Sequence, residues 1–368
     1  MTILILFVIA AAFFLLQKTL YRRYWSRGLS GTLQFRDSFV YEGDVSSLTE
    51  VVTNRNWLPL PALQVSFRVS RNLVFDNIEN TSVSDYCYKR DVFTALFYQK
   101  ITRELPFRCL ARGYYPVGSL NLVAHDLLMT TQFAINIDQN ASLYVYPKPL
   151  WDDRLEVPFQ KIMGTVRMRR LIHEDPYEFR GIREYQPTDP MRAVNWKASA
   201  RAGELMVDVF HSTSSQEVLV LLDVEDSGVW KHRVLTETAI RLASSLVGRL
   251  ASQGVPVRLA CNGLDQISKN EIAVPAGAGQ GQLHAVNRAL ARIDLTQPAA
   301  SMEGLLTQTG WGDALAILIS LNQTAGDAFS RLTEERGTGI WFVPMEAAAP
   351  FAPQAGRSVT VVPWEVEL

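Results

Sequence analysis

Apolar positions fall into three regimes along the chain. From Thr2 to Gln17 (TILILFVIAAAFFLLQ) they form one uncharged run. Extended through Leu20, it reaches the lower limit of roughly 17 residues for a bilayer-spanning helix. From Leu33 to about Tyr146 the apolar residues break into short β-forming runs: Gln64–Ser70, Asn72–Phe75, Glu104–Ala111, Ser119–Ala124 and Ser142–Pro147. Asn, Gly, Pro and Asp punctuate them at near-regular spacing, which predicts a β-sandwich over residues 28–150. Prolines at Pro59 and Pro61 cannot donate to a ladder, so Asn54–Pro61 is expected at an edge or in a loop.

The third regime covers residues 211–368. Glu217–Val224 is continuously apolar, as in a strand buried on both faces. Leu235, Ala239, Leu242, Leu246 and Leu250 mark one face of a helix over His232–Gln253, closed by Gly254. Further strands are predicted at Val255–Cys261, Ala314–Ser320, Gly339–Met345 and Ser358–Trp364, with helices at Gly281–Ile293 and Gly326–Arg336. This alternation predicts an α/β domain built on a doubly wound parallel sheet. Residues 151–210 connect the two regimes. Trp151–Glu178 is expected to be polar and irregular. After a turn at Gln186–Asp189, a short helix is expected over Met191–Ala202, with Asp189 as its cap, Pro190 at its first position and Gly203 at its end.

Charge refines the N-terminal reading. Lys18, Arg22, Arg23 and Arg27 follow the apolar run, with Tyr21, Tyr24 and Trp25 at interface depth. Positive residues stay cytoplasmic, so a single-pass transmembrane anchor over residues 1–20 with a cytoplasmic body is expected. A secretory signal would need a basic start and a small-residue cleavage site, which this run lacks; a signal peptide or a buried helix is the alternative. Over the whole chain of 368 residues, 36 Lys and Arg face 37 Asp and Glu. No strong field exists to gather nucleic acid, so none is expected as a partner. Cys87, Cys109 and Cys261 have no metal-ligand spacing and fit a reducing compartment.

Candidate chemistry concentrates in Arg180–Arg201, RGIREYQPTDPMRAVNWKASAR. Arg183, Arg192 and Arg201 carry planar forks suited to carboxylates, and Glu184, Asp189, Glu204 and Asp208 lie nearby. Two readings follow. One is a half-buried ion-pair lattice with Tyr185 and Trp196 as packing anchors. The other is a docking surface, since Arg, Trp and Tyr dominate interface hot spots. Separately, Asp223, Glu225 and Ser227 place oxygen donors at alternate positions after a strand, a pattern that can hold Mg²⁺ or a similar divalent ion. His173, Glu174 and Asp175, with Asp189, could form an acid/base or metal cluster. There is no G-x-S-x-G, H-E-x-x-H or phosphate-binding glycine loop, and catalysis is not expected.

Gly181-Ile-Arg-Glu-Tyr-Gln-Pro-Thr-Asp189, Arg192, Asn195-Trp196 and Ala200-Arg201 closely resemble the signature of the bacterial domain of unknown function 58 family. Thr188 stands where that family usually has glycine, and Asn195 where it often has aspartate. Arg112-Gly-Tyr-Tyr-Pro-Val-Gly118 through His125-Asp126 is similar to a second family segment. The resemblance implies N-terminal membrane segments, a β-rich region and a von Willebrand factor A-like domain. It also implies work with MoxR-type AAA+ ATPases in assembling or remodelling client proteins. The metal motif of such a domain, Asp-x-Ser-x-Ser, would fall on Asp223-Val-Glu225-Asp-Ser227. Glu225 replaces its first serine, and Asn322 follows the distal strand where aspartate is expected, which implies a degenerate site and no cofactor. The expected function is a membrane-anchored, non-enzymatic scaffold or adaptor. A divalent-metal-dependent hydrolase built on Asp223 and the His173 region is the alternative.

Overall fold

The computed structural model describes residues 1–76, 81–150, 152–172, 179–186, 189, 191–210, 217–226, 232–311, 314–347 and 352–367. It forms two compact units, Met1–Lys148 and Pro149–Leu368.

The first unit opens with helix α1 (Thr2–Tyr24). Ten strands follow: β1 (Leu29–Phe35), β2 (Phe39–Tyr41), β3 (Val45–Asn54), β4 (Leu60–Ser70), β5 (Leu73–Phe75), β6 (Thr81–Val83), β7 (Tyr86–Ala95), β8 (Lys100–Cys109), β9 (Gly113–His125) and β10 (Gln132–Tyr146). They make two sheets, ordered β1-β3-β8-β5 and β2-β10-β9-β4-β7-β6. All pairings are antiparallel except β10 with β2. Alternate residues turn inward, Leu63, Val65, Phe67 and Val69 from β4 meeting Leu48, Val52, Leu105 and Phe107 in one core. Residues 55–59 form the β3–β4 loop, one of the two places expected for Asn54–Pro61. They lead into β4, which has neighbours on both sides, and Pro61 falls where the β4–β7 register shifts between Leu60 and Leu63, a bulge that spares a proline the missing N–H.

Side chains of α1 from Ile3 to Leu16 are exposed, apart from half-buried Phe14. The last two turns differ. Gln17, Tyr21 and Trp25 are buried, and the latter two belong to the sandwich core. Trp25 stacks on Phe133 with ring centroids 5.6 Å apart. Ile3–Tyr24 is long and apolar enough to cross a membrane.

The second unit runs α2 (Glu156–Ile172), β11 (Phe179–Glu184), α3 (Trp196–Ala202), β12 (Met206–Phe210), β13 (Val218–Leu222), α4 (Arg233–Ser252), β14 (Val257–Leu264), β15 (Glu271–Gly277), α5 (Gly279–Ala291), α6 (Met302–Gln308), β16 (Leu315–Ile319), α7 (Gln323–Arg336), β17 (Gly339–Glu346) and β18 (Val359–Val366). Its main sheet is ordered β15-β14-β13-β16-β17-β18. Neighbouring strands are parallel except at the β15 edge, which is antiparallel. Only Asp265–Asn270 separates β14 from β15, too short for the crossover that a parallel neighbour requires. Asp265 closes that turn by accepting from the Ile267 N–H at 2.7 Å. Helices cover both faces: α2, α4 and α5 contribute to one core, α6 and α7 to the other. Strand order reverses between β13 and β16.

The connection expected to be irregular over Trp151–Glu178 contains α2. Leu155, Phe159, Ile162, Met163 and Val166 recur at helical spacing and pack into the α/β core. Lys161, Gly164, Arg167, Arg169 and Arg170 dilute that stripe in the sequence.

Candidate functional site

The charged signature folds as a small motif of its own. Strands β11 and β12 pair antiparallel, with Arg183 opposite Val207 and Glu184 opposite Met206. Between them lie a 3₁₀ turn at Met191–Ala193 and α3. The helix is therefore shorter than the expected Met191–Ala202, and its cap is Asn195, whose Oδ1 accepts from the Ala198 N–H at 2.9 Å. Gly203 ends it in the left-handed conformation, φ 80°, where a side chain would be strained. Asn195 Nδ2 also donates to Asp208 Oδ1 at 2.7 Å, fastening the helix start to β12. Ser199 Oγ accepts from the Met206 N–H at 2.8 Å.

Asp189 is not the cap. Arg183 donates from Nη1 and Nη2 to its two oxygens at 2.6 and 2.7 Å, and the Gln186 N–H donates to it at 2.8 Å. The Arg183 guanidinium and the Gln186 amide hold this carboxyl below the usual carboxylate range. Expected to be a packing anchor, Trp196 instead projects from the first turn of α3 with 63% of its surface exposed. Tyr185 is half-buried, and Glu184 and Arg201 are exposed. Ile182, Met191 and Leu205 add exposed apolar surface to the same motif. Thr188, Pro190 and the Arg192 side chain lie outside the described residues. The lattice expectation thus reduces to the Arg183–Asp189 pair among the described residues of this segment.

The second candidate lies at the point where the strand order reverses, past the C-terminal ends of the parallel strands, where α/β sheets open a crevice. Asp223 follows β13 and is fully buried. Its Oδ1 accepts from Asn262 Nδ2 at 2.7 Å and from the Glu225 N–H at 3.0 Å. Its Oδ2 accepts from Ser320 Oγ at 2.6 Å and from Asn322 Nδ2 at 2.9 Å. Asn322 also donates to the Glu225 carbonyl at 2.8 Å, and the Val224 N–H donates to Asn262 Oδ1 at 2.9 Å. A carboxylate offers about four acceptor positions, and neutral protein donors fill all four. Any cation would have to displace them. Among the described residues no three His, Cys, Asp or Glu converge on a common point. Ser227 and His173-Glu174-Asp175 lie outside the described residues. Sequence reasoning missed Asn262, whose one signal is a polar residue directly after the apolar run Val255–Cys261.

The second family-like segment is structural. Tyr115 Oη donates to the Ala111 carbonyl at 2.8 Å, a corner that ties the start of β9 back to the chain before it. Asp126 is fully buried and accepts from Gln17 Nε2 at 3.1 Å, linking β9 to α1.

Residues 181–321 match the family described as "Protein of unknown function DUF58". "Uncharacterized protein YeaD" of Bacillus subtilis (strain 168) is 24% identical over 297 residues, spanning 77% of this chain and 68% of that protein. Over residues 181–321 the chain is thus similar to the DUF58 family. Among solved structures, a non-cellulosomal cohesin from Archaeoglobus fulgidus overlaps 32% of this chain and 91% of its own, at 10% identity and TM-score 0.23. The CARDB domain of a Pyrococcus furiosus protein overlaps 31% and 90%, at 12% identity and TM-score 0.19. Scores this low leave the architecture of this chain to rest on its own strand order.

Proposed function

We propose that this protein is a membrane-anchored, non-enzymatic adaptor whose signature motif docks a macromolecular partner, a MoxR-type AAA+ ATPase or its client. One observation carries the reading: Trp196 stands exposed on a helix whose start is pinned by Asn195, Asp208 and Ser199. The fastening is done by its neighbours, so the indole is presented rather than packed. Rigidly held Trp beside Arg and Tyr is the composition of interface hot spots. The identity of the ATPase partner rests on the family resemblance.

Three features support the rest of the reading. Saturation of Asp223 by four protein donors favours a structural aspartate over metal-dependent hydrolysis. The strand order with its single antiparallel edge, and an aspartate at the switch point, accord with a von Willebrand factor A-like domain. Burial of Gln17 against Asp126 favours an anchor over a leader, because cleavage after the apolar run would strip Asp126 of that partner. The basic residues after the run favour a cytoplasmic body.

Titrating the full chain with a purified MoxR-type ATPase from the same cell tests the proposal. Wild type should bind, and Trp196→Ala should weaken binding at least tenfold while its melting temperature holds. Absence of binding, or an unchanged affinity in the variant, overturns it.

A further inference from the structure

In α1 the apolar run and the clamp are contiguous. Leu16 is exposed, and Gln17, the next residue, is buried against Asp126. Tyr21 Oη donates to the Pro59 carbonyl at 2.6 Å, and Asn56 Nδ2 donates to the Tyr24 carbonyl at 2.6 Å. No spacer therefore separates the membrane-length segment from the end of the sandwich that receives it.

Three turns crowd that end. The β3–β4 loop carries Trp57, the β7–β8 turn Phe97 and Tyr98, and the β9–β10 turn Leu127, Leu128 and Met129. These six side chains are 47–71% exposed. They share one end because Asn54 Nδ2 donates to the carbonyls of both Leu58 and Leu96, the Tyr98 N–H donates to Asn56, and Asp126 joins the β9–β10 turn to α1. The tips are braced rather than loose. Asp126 accepts from Thr130 N, Thr130 Oγ1 and Thr131 N at 2.6, 2.7 and 3.2 Å. Tyr98 and Met129 hold positive φ, 53° and 55°. Bulky residues at positions that favour Gly or Asn point to something other than turn geometry selecting them.

Charge completes the surface. Lys18, Arg22, Arg23, Arg27, Arg55 and Lys100 lie in these four segments and are all exposed. The one acidic residue within residues 17–28, 54–59, 95–100 and 125–131 is Asp126, which is buried.

We propose that this end of the β-sandwich is itself a lipid-binding face, its apolar tips entering the headgroup–acyl boundary of an anionic bilayer while the cations meet lipid phosphates. Apolar tips with exposed Lys and Arg in the same segments fit such an interface, and juxtamembrane cations are attracted to anionic lipid. The proposal rests on the anchor reading above and goes beyond it. α1 then acts as a rigid strut that seats the sandwich on the membrane in a fixed orientation.

The test uses the full chain reconstituted into vesicles of phosphatidylcholine with or without phosphatidylglycerol. An environment-sensitive fluorophore is placed at Phe97→Cys or Leu128→Cys, and at Leu110→Cys, an exposed site at the opposite end of the sandwich. The native thiols are buried. Emission at the first two sites should shift to the blue and be quenched by lipids spin-labelled near the headgroup. The shift should grow with phosphatidylglycerol and shrink with salt, while the Leu110 site stays water-like. Vesicle-bound protein with all three sites water-like overturns the lipid-binding face and leaves the anchor intact. Blue-shifted rim sites indifferent to lipid charge and salt overturn the anionic specificity. Failure of the chain to float with vesicles overturns the anchor reading and this proposal together.

Discussion

Arg183 grips Asp189 through two parallel hydrogen bonds, 2.6 and 2.7 Å long, across a turn six residues wide. The same carboxylate accepts from the Gln186 N–H, so one ion pair ties the end of β11 to Asp189. Two of the signature's charges are thereby spent on shape, and Trp196 is left to face outward.

The Asp189 carboxyl is held below its usual range, mainly by the hydrogen bond from Arg183. Its contribution is therefore complete above the unfolded value of about 4 and fades as pH falls through the depressed folded value. Amide exchange at Gln186 should be protected at neutral pH and lose protection at strongly acidic pH. Asp189→Asn should remove that protection at neutral pH too, without moving the melting temperature of the α/β core. Unaltered exchange in the variant would show that the turn holds without the pair.

Trp196 and Trp341 separate presentation from packing. Trp196→Ala should change stability by less than about 0.5 kcal/mol, as surface substitutions do. Trp341 is fully buried and its Nε1 donates to the Ser320 carbonyl at 3.1 Å, so Trp341→Ala should cost about 3–5 kcal/mol. Denaturant titration of the two variants distinguishes them. Comparable losses would mean that Trp196 packs after all.

Removing the Asp223 side chain leaves buried donors on Asn262, Ser320 and Asn322 without their acceptor. Asp223→Ala should cost about 3 kcal/mol and lower the melting temperature of the α/β unit by roughly 6–12 °C. Because wild-type Asp223 already has its complement of donors, Mg²⁺ or Mn²⁺ should leave the wild-type melting temperature unchanged. A rise with added ion would revive the metal reading.

Inside the sandwich, Glu50 is buried beside Asp91, Arg103 and Lys89, with Arg103 Nη1 3.7 Å from its nearer oxygen. Burial raises its pKa to about 7, and Asp91 adds to the rise while Arg103 and Lys89 oppose it. A raised acid stabilises the fold fully below its unfolded value of about 4.5 and loses that contribution as pH rises to about 7. The loss across this window is on the order of 3 kcal/mol. Glu50→Gln should flatten the fall in denaturant midpoint across that window, read by exposure of Cys87 and Cys109, which share this core. An unchanged slope would assign the pH dependence elsewhere.

Legibility in the sequence followed burial symmetry. β13, β16 and β17 are buried on both faces, so each reads as an unbroken apolar run. β7 was hidden because its inward positions include Lys89 and Asp91, charges that a sandwich interior rarely holds. α2 was hidden by the basic residues interleaved with its apolar positions. The Asp189 cap failed for a different reason. A carboxylate before a proline can serve its own helix or an earlier arginine, and the two-pronged charged bond outcompetes a single backbone donor. Asp223 was visible as a candidate, yet its partners Asn262 and Ser320 lie 39 and 97 residues away, and only the strand order brings them together. Gly326 shows the same limit: a Cβ there would lie 2.2 Å from the Trp341 ring, a demand for glycine that no helical pattern discloses.

The proposed adaptor role requires Trp196 to meet another macromolecule. Replacing it in the cell with a photo-reactive phenylalanine analogue, and doing the same at exposed Ile267 in the same unit, tests this most directly. Irradiation should yield a discrete adduct containing an AAA+ ATPase or its client from position 196 and none from position 267. No adduct at 196, or the same adducts from both positions, would contradict it.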